Sequence, residues 1–585
     1  MNTSLNLGLT AATYKTCLSL APFSFFAFFT ASSLVVNYSL MAIDIQELPV
    51  EIHTAILQSA FLNARERHSI ELCVDSNEAL YDDLDSFEAQ PYDEASCTEW
   101  KWKERNKRSP SLFPFNAAYV CKMWRDILAG MPGVWTRVVF DLSRDPTPIL
   151  KAFEWSKSMD HGLEVLIFNS LETEEVCVQE EEERVRDIAS ALQGHVHRCG
   201  SISFDTVYSS SLPLPGMILP RNSPYLGHFQ LVSRVDNLTD NMLATALHTA
   251  TPEFDLHTSP LLLPQLWHLS LTAVTFMNLP DRANFFKALK NQRYLELLIS
   301  LSEIPMEGPY SLANFLAALA SPEVQSSCHR FYLQDVSLRI ADDDHVQFLP
   351  VAENRPIFTR DLCFYSESRS FIQAFFSLVD VRSDWLSFDG CALPENVQPL
   401  ESSMLILKNI DEGMTSPATF RQFIDAWSGE HFRLTRCSLF DDDFLSWMLK
   451  GNDYALSTAG SGSIPEQLPK PFPAPKMESL SITECGNFSP SVLRQMLHTR
   501  WELAQKHKEA LGSHHSQPSP RPNDGPVRSV NHLVVIAKEG PNLSDEDLEW
   551  FRNNGMDMLF LWEISSKICY RTRMAVDHLS DSVVW

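Results

Sequence analysis

Beyond residue 150 the apolar side chains repeat one theme: a short stretch in which they alternate, a polar turn, then apolar residues at helical spacing. Leu266-Trp267-His268-Leu269-Ser270-Leu271 and Met477-Glu478-Ser479-Leu480-Ser481-Ile482 show the alternation. Period two sends every second side chain to the same face of a strand. Strands are predicted at 163–168, 201–205, 226–231, 266–271, 294–299, 330–334, 361–365, 385–389, 404–408, 432–436, 478–483 and 531–536. Helices are expected between them. Thr239-Asp240 precedes Met242, Leu243 and Ala246, and Asp441, Asp442 and Asp443 precede Phe444, Leu445 and Met448. Ser544 with Asp547 forms a capping box ahead of Leu548, Trp550 and Phe551.

The spacing is uneven: 28 residues from Leu269 to Leu297, then 36 from Leu297 to Leu333. One strand and one helix cannot bury an apolar face alone, whereas stacked neighbours share a continuous core. A degenerate alternation of roughly 25–40 residues reads as an irregular leucine-rich-repeat-like α/β solenoid. It is expected over 150–585, with a proline-rich loop at 457–476 and a Ser/His/Pro-rich loop at 512–526.

The start of the chain has a different texture. Leu48-Pro49-Val50-Glu51-Ile52 opens a helix, since Pro49 suits the first helical position and Glu51 the positive end of the dipole. Ile52, Ile56 and Leu57 give it one apolar face, and it is expected to end near Phe61. Residues 71–99 then hold ten carboxylates and no lysine or arginine, followed by Lys101, Lys103, Arg105, Lys107 and Arg108. Such blocks are usually solvated; the basic run could also be a nuclear localisation signal. Helical spacing resumes with Phe115, Ala118, Cys121, Met123, Trp124, Ile127 and Leu128 until Gly130 and Pro132 stop it, and Trp135 leads into extended Val138-Val139-Phe140.

Ahead of all this, 28 uncharged residues lie between Lys15 and Asp44, with Phe23, Phe25, Phe26, Phe28 and Phe29 among them. The run is long enough to cross a bilayer. Pro22 and several serines interrupt it, and neither a cleavage site nor a flanking charge bias accompanies it. Residues 1–40 are therefore read as a disordered leader or an over-extended gene start, Met41 directly preceding the first segment with domain character. A signal anchor is the alternative.

Composition narrows the chemistry. A net charge of −27 repels phosphate backbones and argues against a nucleic-acid partner. Twelve cysteines occur with no C-x-x-C pair, which excludes a metal knuckle and a disulfide framework. Most sit beside apolar residues, as in Leu362-Cys363-Phe364, where a reduced thiol packs as a small hydrophobe. That fits a reducing compartment, cytoplasm or nucleus.

No phosphate-binding loop, dinucleotide fingerprint, zinc-protease motif or nucleophile elbow occurs, so no catalytic, cofactor-binding or metal residue is assigned. Asp342–Asp344 and Asp441–Asp443 lack the alternating oxygen spacing of a calcium loop and read as loop and cap residues. His195, His197, His514 and His515 read as solvated loop residues, and Glu180–Glu183 as a helix face in water.

The two helical pieces before residue 135 resemble an F-box, in the divergent form common in mushroom-forming fungi. The matching residues are Leu48-Pro49-x-Glu51-Ile52-x-x-x-Ile56-Leu57, then Val120-Cys121-x-x-Trp124-Arg125-x-Ile127, then Pro132-x-x-Trp135. The resemblance covers residues 41–140 and departs from the family where residues 62–114 separate halves that a compact F-box joins by a much shorter stretch. It implies a small all-helical module that docks on the Skp-type adaptor of a cullin–RING ubiquitin ligase, with the downstream repeats holding a protein substrate. Leu48, Pro49, Ile52, Ile56, Val120 and Cys121 would then face the adaptor, while Leu57, Trp124, Ile127 and Trp135 would form the module's core. A unit this small has little interior, so an apolar face covered by a partner helps to stabilise it. The expectation is a non-enzymatic adaptor with no cofactor, its two parts an F-box-like module and an α/β repeat array. A repeat scaffold with a vestigial F-box and a membrane-tethered repeat receptor are the alternatives.

Overall fold

The computed structural model describes residues 48–75, 112–157, 160–219, 223–238, 263–279, 282–289, 295–339, 356–395, 397–450, 472–512, 527–537, 541–553, 559–564 and 567–571. The apolar run at 16–43, the acidic and basic blocks from 76 to 108, the helix expected after Asp240, Asp342–Asp344, and His514 and His515 lie outside the described residues. Among the described residues no helix is long and apolar enough to cross a membrane.

The chain divides into two compact units, residues 1–242 with 252–266, and residues 243–251 with 267–585. The first opens with helices α1 (Val50–Asp75), α2 (Phe115–Ala118) and α3 (Lys122–Ala129). Four parallel strands follow in sequence order: β1 (Arg137–Asp141), β2 (Leu163–Phe168), β3 (Cys199–Tyr208) and β4 (His228–Val235). Register aligns Val138, Val165, Ile202 and Phe229, then Phe140, Ile167, Phe204 and Leu231, as two rows across the sheet, all at most 1% exposed. The opposite face of β1 and β2 is also covered, because Leu112 and Phe115 pack on Val139, Leu166 and Phe168. The helical segment thus shares a core with the first strands.

The second unit contains β5 (His268–Leu271), β6 (Leu295–Pro305), β7 (Cys328–Arg339), β8 (Ile357–Tyr365), β9 (Val381–Asp389), β10 (Glu401–Lys408), β11 (His431–Thr435), β12 (Ser479–Thr483), β13 (His532–Ala537), β14 (Leu559–Ile564) and β15 (Lys567–Arg571). Each strand pairs with the next in sequence order, parallel as far as β14, with β15 antiparallel at the end. Most crossovers contain one or two helices, such as Leu312–Leu319 and Pro322–Ser327 before β7 or Arg369–Leu378 before β9. Parallel crossovers share one hand, so a strand order that follows the sequence places the helices on one face. This is a solenoid-like α/β arrangement.

Rows of side chains explain why it holds. Register joins Leu269, Leu297, Phe331, Leu362, Leu386, Leu405, Phe432, Leu480 and Leu533 into one continuous apolar row, each at most 2% exposed. Two positions along, Leu271, Ile299, Leu333, Phe364, Phe388, Leu407, Leu434, Ile482 and Val535 form a second. Each large apolar side chain so buried contributes about 1.5–3 kcal/mol.

The turn after each strand is equally regular. Asp335, Ser366, Gly390, Asn409, Arg436 and Glu484 occupy equivalent positions in β7 to β12 with φ between 53° and 61°. Their left-handed backbone turns the following residue inward, and Val336, Glu367, Cys391, Ile410, Cys437 and Cys485 are all at most 2% exposed. Only one of the six is glycine, so the neighbouring strand's hydrogen bonds must supply what side-chain sterics oppose. Gly390 N–H donates to Lys408 O at 2.9 Å and Arg436 N–H to Thr483 O at 2.9 Å.

Two sequence expectations are corrected here. Glu181, expected in water, is fully buried in the helix Val178–Leu192, where its carboxylate accepts from Asn169 Nδ2 at 2.8 Å, Val207 N–H at 2.9 Å and Tyr208 N–H at 3.1 Å. His195 is half-buried rather than solvated, its ring stacked on Phe153 with centroids 5.3 Å apart. Helix α1 also continues past Phe61 to Asp75. The cap readings match the geometry: Asp441 Oδ1 accepts from Phe444 N–H at 2.7 Å, and Ser544 Oγ accepts from Asp547 N–H at 3.1 Å.

Candidate partner-binding surfaces

The surface of the helical segment is built on one contact across a long gap in sequence. Pro49 starts α1, its carbonyl accepting from Ile52 N–H at 3.0 Å. One turn later His53, fully buried, faces α3, and its Nδ1 accepts from Trp124 Nε1–H at 3.0 Å with the rings edge to face. The indole nitrogen can only donate, so this bond fixes His53 Nδ1 as the unprotonated nitrogen. Leu57, 1% exposed, continues the same inner face of α1. Phe61 extends it with a ring contact to Phe113 at 6.1 Å.

Local chemistry shapes the second half. Cys121 is extended and its sulfur accepts from Trp124 N–H at 3.5 Å, capping α3. Pro132–Val134 forms a 3₁₀ turn that brings Trp135 back beneath the helix, where its Nε1–H donates to Leu128 O at 2.8 Å. The same carbonyl also accepts from Met131 N–H at 2.9 Å, so both lone pairs of this last-turn oxygen are used. Trp135 is fully buried against Trp155, while Trp124 and Ile127 are half-buried.

The outer side carries apolar residues beside the exposed charges of Glu51, Lys122 and Asp126. Val50 is 53% exposed, Ile52 46% and Val120 63%; Pro49 is exposed, and Leu48, Ile56 and Cys121 are half-buried. Seven large hydrophobic side chains are exposed among the described residues, and four of them (Val50, Ile52, Leu62, Val120) belong to this segment. Such clustering marks an interaction surface more strongly than the same residues scattered singly. Ile52 and Ile56, four apart, lie on one flank of α1. Val50 and Thr54 lie on the other, where they and Met123, Ile127 and Met131 line an open groove of about 790 Å³ against α3.

A second surface is the strand face of the second unit that is turned away from its helices. In β11 and β12 every second residue is half exposed: His431, Arg433 and Thr435, then Ser479, Ser481 and Thr483. On β5 to β8 the same face carries a charge ladder. Arg330 donates to Glu296 at 2.8 Å and pairs with Asp361 at 2.7 Å, and His268 lies 3.4 Å from Glu296. Burial alone would raise the Glu296 carboxyl, but hydrogen bonds from His268 and Arg330 outweigh it and hold it below its usual value. Asp361 goes the other way, since its burial outweighs the attraction of Arg330 and pushes its carboxyl up. Burial likewise raises the phenols of Tyr332 and Tyr365, whose rings lie 6.0 Å apart.

Among the described residues no group of three or more His, Cys, Asp or Glu side chains gathers to hold a metal. The thiols of Cys199, Cys328, Cys391, Cys437 and Cys485 are buried, and burial pushes Cys199 and Cys391 up to about 12, far from the reactive thiolate. No protein-family model matches the chain, and no curated protein is significantly similar to it.

Proposed function

We propose that this protein is a substrate-recognition adaptor of a cullin–RING ubiquitin ligase. Its F-box-like segment would dock on a Skp-type adaptor through Leu48, Pro49, Ile52, Ile56, Val120 and Cys121. The strand face of the second unit would hold a protein substrate, and the ligation chemistry would belong to other subunits. One observation carries the reading: the segment with the F-box-like residues packs α1 on α3 across 71 residues through His53 and Trp124, yet leaves Pro49, Val50, Ile52 and Val120 uncovered. Burying such a face on a partner is favourable at about 25 cal/mol per Å².

The test is capture of a purified Skp-type adaptor by the full chain and by the double variant Ile52→Asp/Val120→Asp. Both positions are exposed, so the circular-dichroism spectrum should not change. Loss of capture with an unchanged spectrum supports the reading; equal capture, or none by the native chain, removes it.

One observation favours a second reading, a repeat scaffold with a vestigial F-box. Leu112 and Phe115 cover Val139, Leu166 and Phe168, so the helical segment seals the start of the sheet whether or not it meets an adaptor. In that case neither the native chain nor the variant would capture the adaptor, and both would fold.

A further inference from the structure

Two buried thiols stand side by side in the row of turns. Arg436 and Glu484 hold left-handed backbone after β11 and β12, and each turns a cysteine inward, Cys437 at 1% exposure and Cys485 at 2%. Register pairs Thr435 with Thr483, so Cys437 and Cys485, two residues on, occupy equivalent positions on neighbouring strands. They are 48 positions apart in the chain, a spacing that matches no cysteine motif. The third cysteine of the row, Cys391, has no such neighbour, since Glu367 and Ile410 stand on either side of it.

The contact between the two thiols is direct. Cys437 N–H donates to Cys485 Sγ at 3.3 Å, and the Cys437 thiol has the same sulfur within hydrogen-bond reach. The bond from that thiol, helped by the backbone N–H groups of Cys437 and Arg436, outweighs burial and draws the Cys485 thiol below its ordinary value. Cys437, the donor, is held up by the same bond and by burial. One sulfur is thus disposed to carry charge and its neighbour to keep its proton. That is the division between an attacking and a resolving thiol.

Their place in the fold admits a small oxidant and accommodates the product. Cys437 follows exposed Arg436, and Cys485 precedes exposed Gly486 and Asn487, with nothing within 4 Å of where a β-carbon on Gly486 would project. Each sulfur therefore lies one residue beneath the surface. The ion pair of Arg436 with Glu484 at 2.5 Å already clasps the two turns together. Neighbouring strands set equivalent α-carbons about 4.8 Å apart, inside the ~4.4–6.8 Å that a disulfide spans. Loss of the S–H groups costs little. Thr435 O and Thr483 O, which the thiols approach at 3.5 Å, keep Asn409 N–H and Arg436 N–H as donors at 2.9 Å.

We propose that Cys437 and Cys485 form a reversible disulfide, closed by a hydroperoxide and reopened by a small thiol. The Cys485 sulfur attacks one peroxide oxygen; the S–O bond forms, the O–O bond breaks, and the departing hydroxide leaves as water with the Cys485 proton. The Cys437 sulfur then attacks the Cys485 sulfur. The S–S bond forms, the S–O bond breaks, and the hydroxyl leaves as water with the Cys437 proton. Both sulfurs are oxidised and both peroxide oxygens end as water. The bond staples β11 to β12 and is independent of whether the protein meets an adaptor or a substrate.

The test is peptide mapping by mass spectrometry, without reductant, of the full chain exposed in its folded state to hydrogen peroxide. Exposed Cys177 reports that the oxidant has acted, through a sulfenic acid that dimedone traps, and peroxide is raised until it is labelled. The expected product is a linked pair of peptides carrying Cys437 and Cys485, two hydrogens lighter than their sum. Cys391 stays free, and dithiothreitol restores both thiols. Cys437→Ala should lose the link and place the dimedone adduct on Cys485. Labelled Cys177 with Cys437 and Cys485 unlinked overturns the proposal. So does a link that forms only in urea, or one in which Cys391 replaces either partner.

Discussion

In the second unit each strand passes its apolar residues into a row shared with both neighbours. Phe388 is fully buried, stacked on Phe364 at 5.0 Å and edge-on to Phe423 at 5.1 Å. In the helical segment at 48–135 the equivalent rows run out after a few residues. Leu57, Leu128 and Trp135 are buried, while Val50, Ile52 and Val120 remain in water. Both regions are made of elements too short to bury themselves. Repetition supplies neighbours in one; in the other the apolar surplus has nothing left in its own chain to cover it among the described residues. The difference separates apolar residues that hold a fold from apolar residues that stay in water.

Four substitutions sharpen that comparison, the destabilising ones in descending size with Ile52→Ala as the control. Phe388→Ala should cost about 3–5 kcal/mol, because it opens a cavity in a row that neighbouring strands share. Its thermal transition should fall by several degrees, whereas Ile52→Ala in the helical segment should leave melting within about 0.5 kcal/mol of native. Similar losses at both positions would erase the distinction.

Glu367 tests the rows from inside. It stands where neighbouring turns have Val336, Cys391 and Ile410, and its carboxyl is pushed up to about 9 by burial, with the Val336 N–H at 3.0 Å opposing and Asp335 adding to the rise. Its folded pKa lies above its unfolded value, so the stabilisation is complete below about pH 4.5 and is lost as pH climbs through about 9. Each pH unit within that window removes up to ~1.4 kcal/mol. Urea unfolding at pH 6 and pH 8 should show native stability falling by roughly 2–3 kcal/mol and Glu367→Gln staying nearly flat. A native protein with no such slope would show that this carboxyl is not buried as described.

Trp124→Phe should cost less than either change in the rows, about 1–2 kcal/mol, by removing the donor to His53 Nδ1 and leaving a buried imidazole without that partner. Hydrogen exchange should speed up in α1 and α3 while β6 to β12 keep their protection. Uniform acceleration across the chain would mean that the helical segment is not separable from the rest.

Much of the strand array in both units could be read in the chain's alternation. The span 163–168 coincides with β2, and 432–436 and 531–536 fall within a residue of β11 and β13. Alternation is local, and a strand half covered by helices displays it directly. The hairpin β14–β15 escaped because Leu559-Phe560-Leu561-Trp562 is apolar throughout and shows no period. Glu181 escaped for the opposite reason: its neighbours Glu180, Glu182 and Glu183 look like a solvated face, and only the fold brings Asn169 and the backbone of Val207 and Tyr208 to its carboxylate.

The candidate sites divide along the same line. Helical spacing outlined two separate pieces, and only their resemblance to an F-box marked Leu48, Ile52, Trp124 and Trp135 as members of one unit. Which of them face water was decided by tertiary packing, since a helix has one face in common with its neighbour and sequence spacing does not say which neighbour it will have. The same holds for the strand face: Tyr332, Trp385 and Arg433 stand on three strands and become neighbours only through register. Local periodicity set the elements; long-range pairing set the surfaces, because a surface is made of residues that the chain itself keeps far apart.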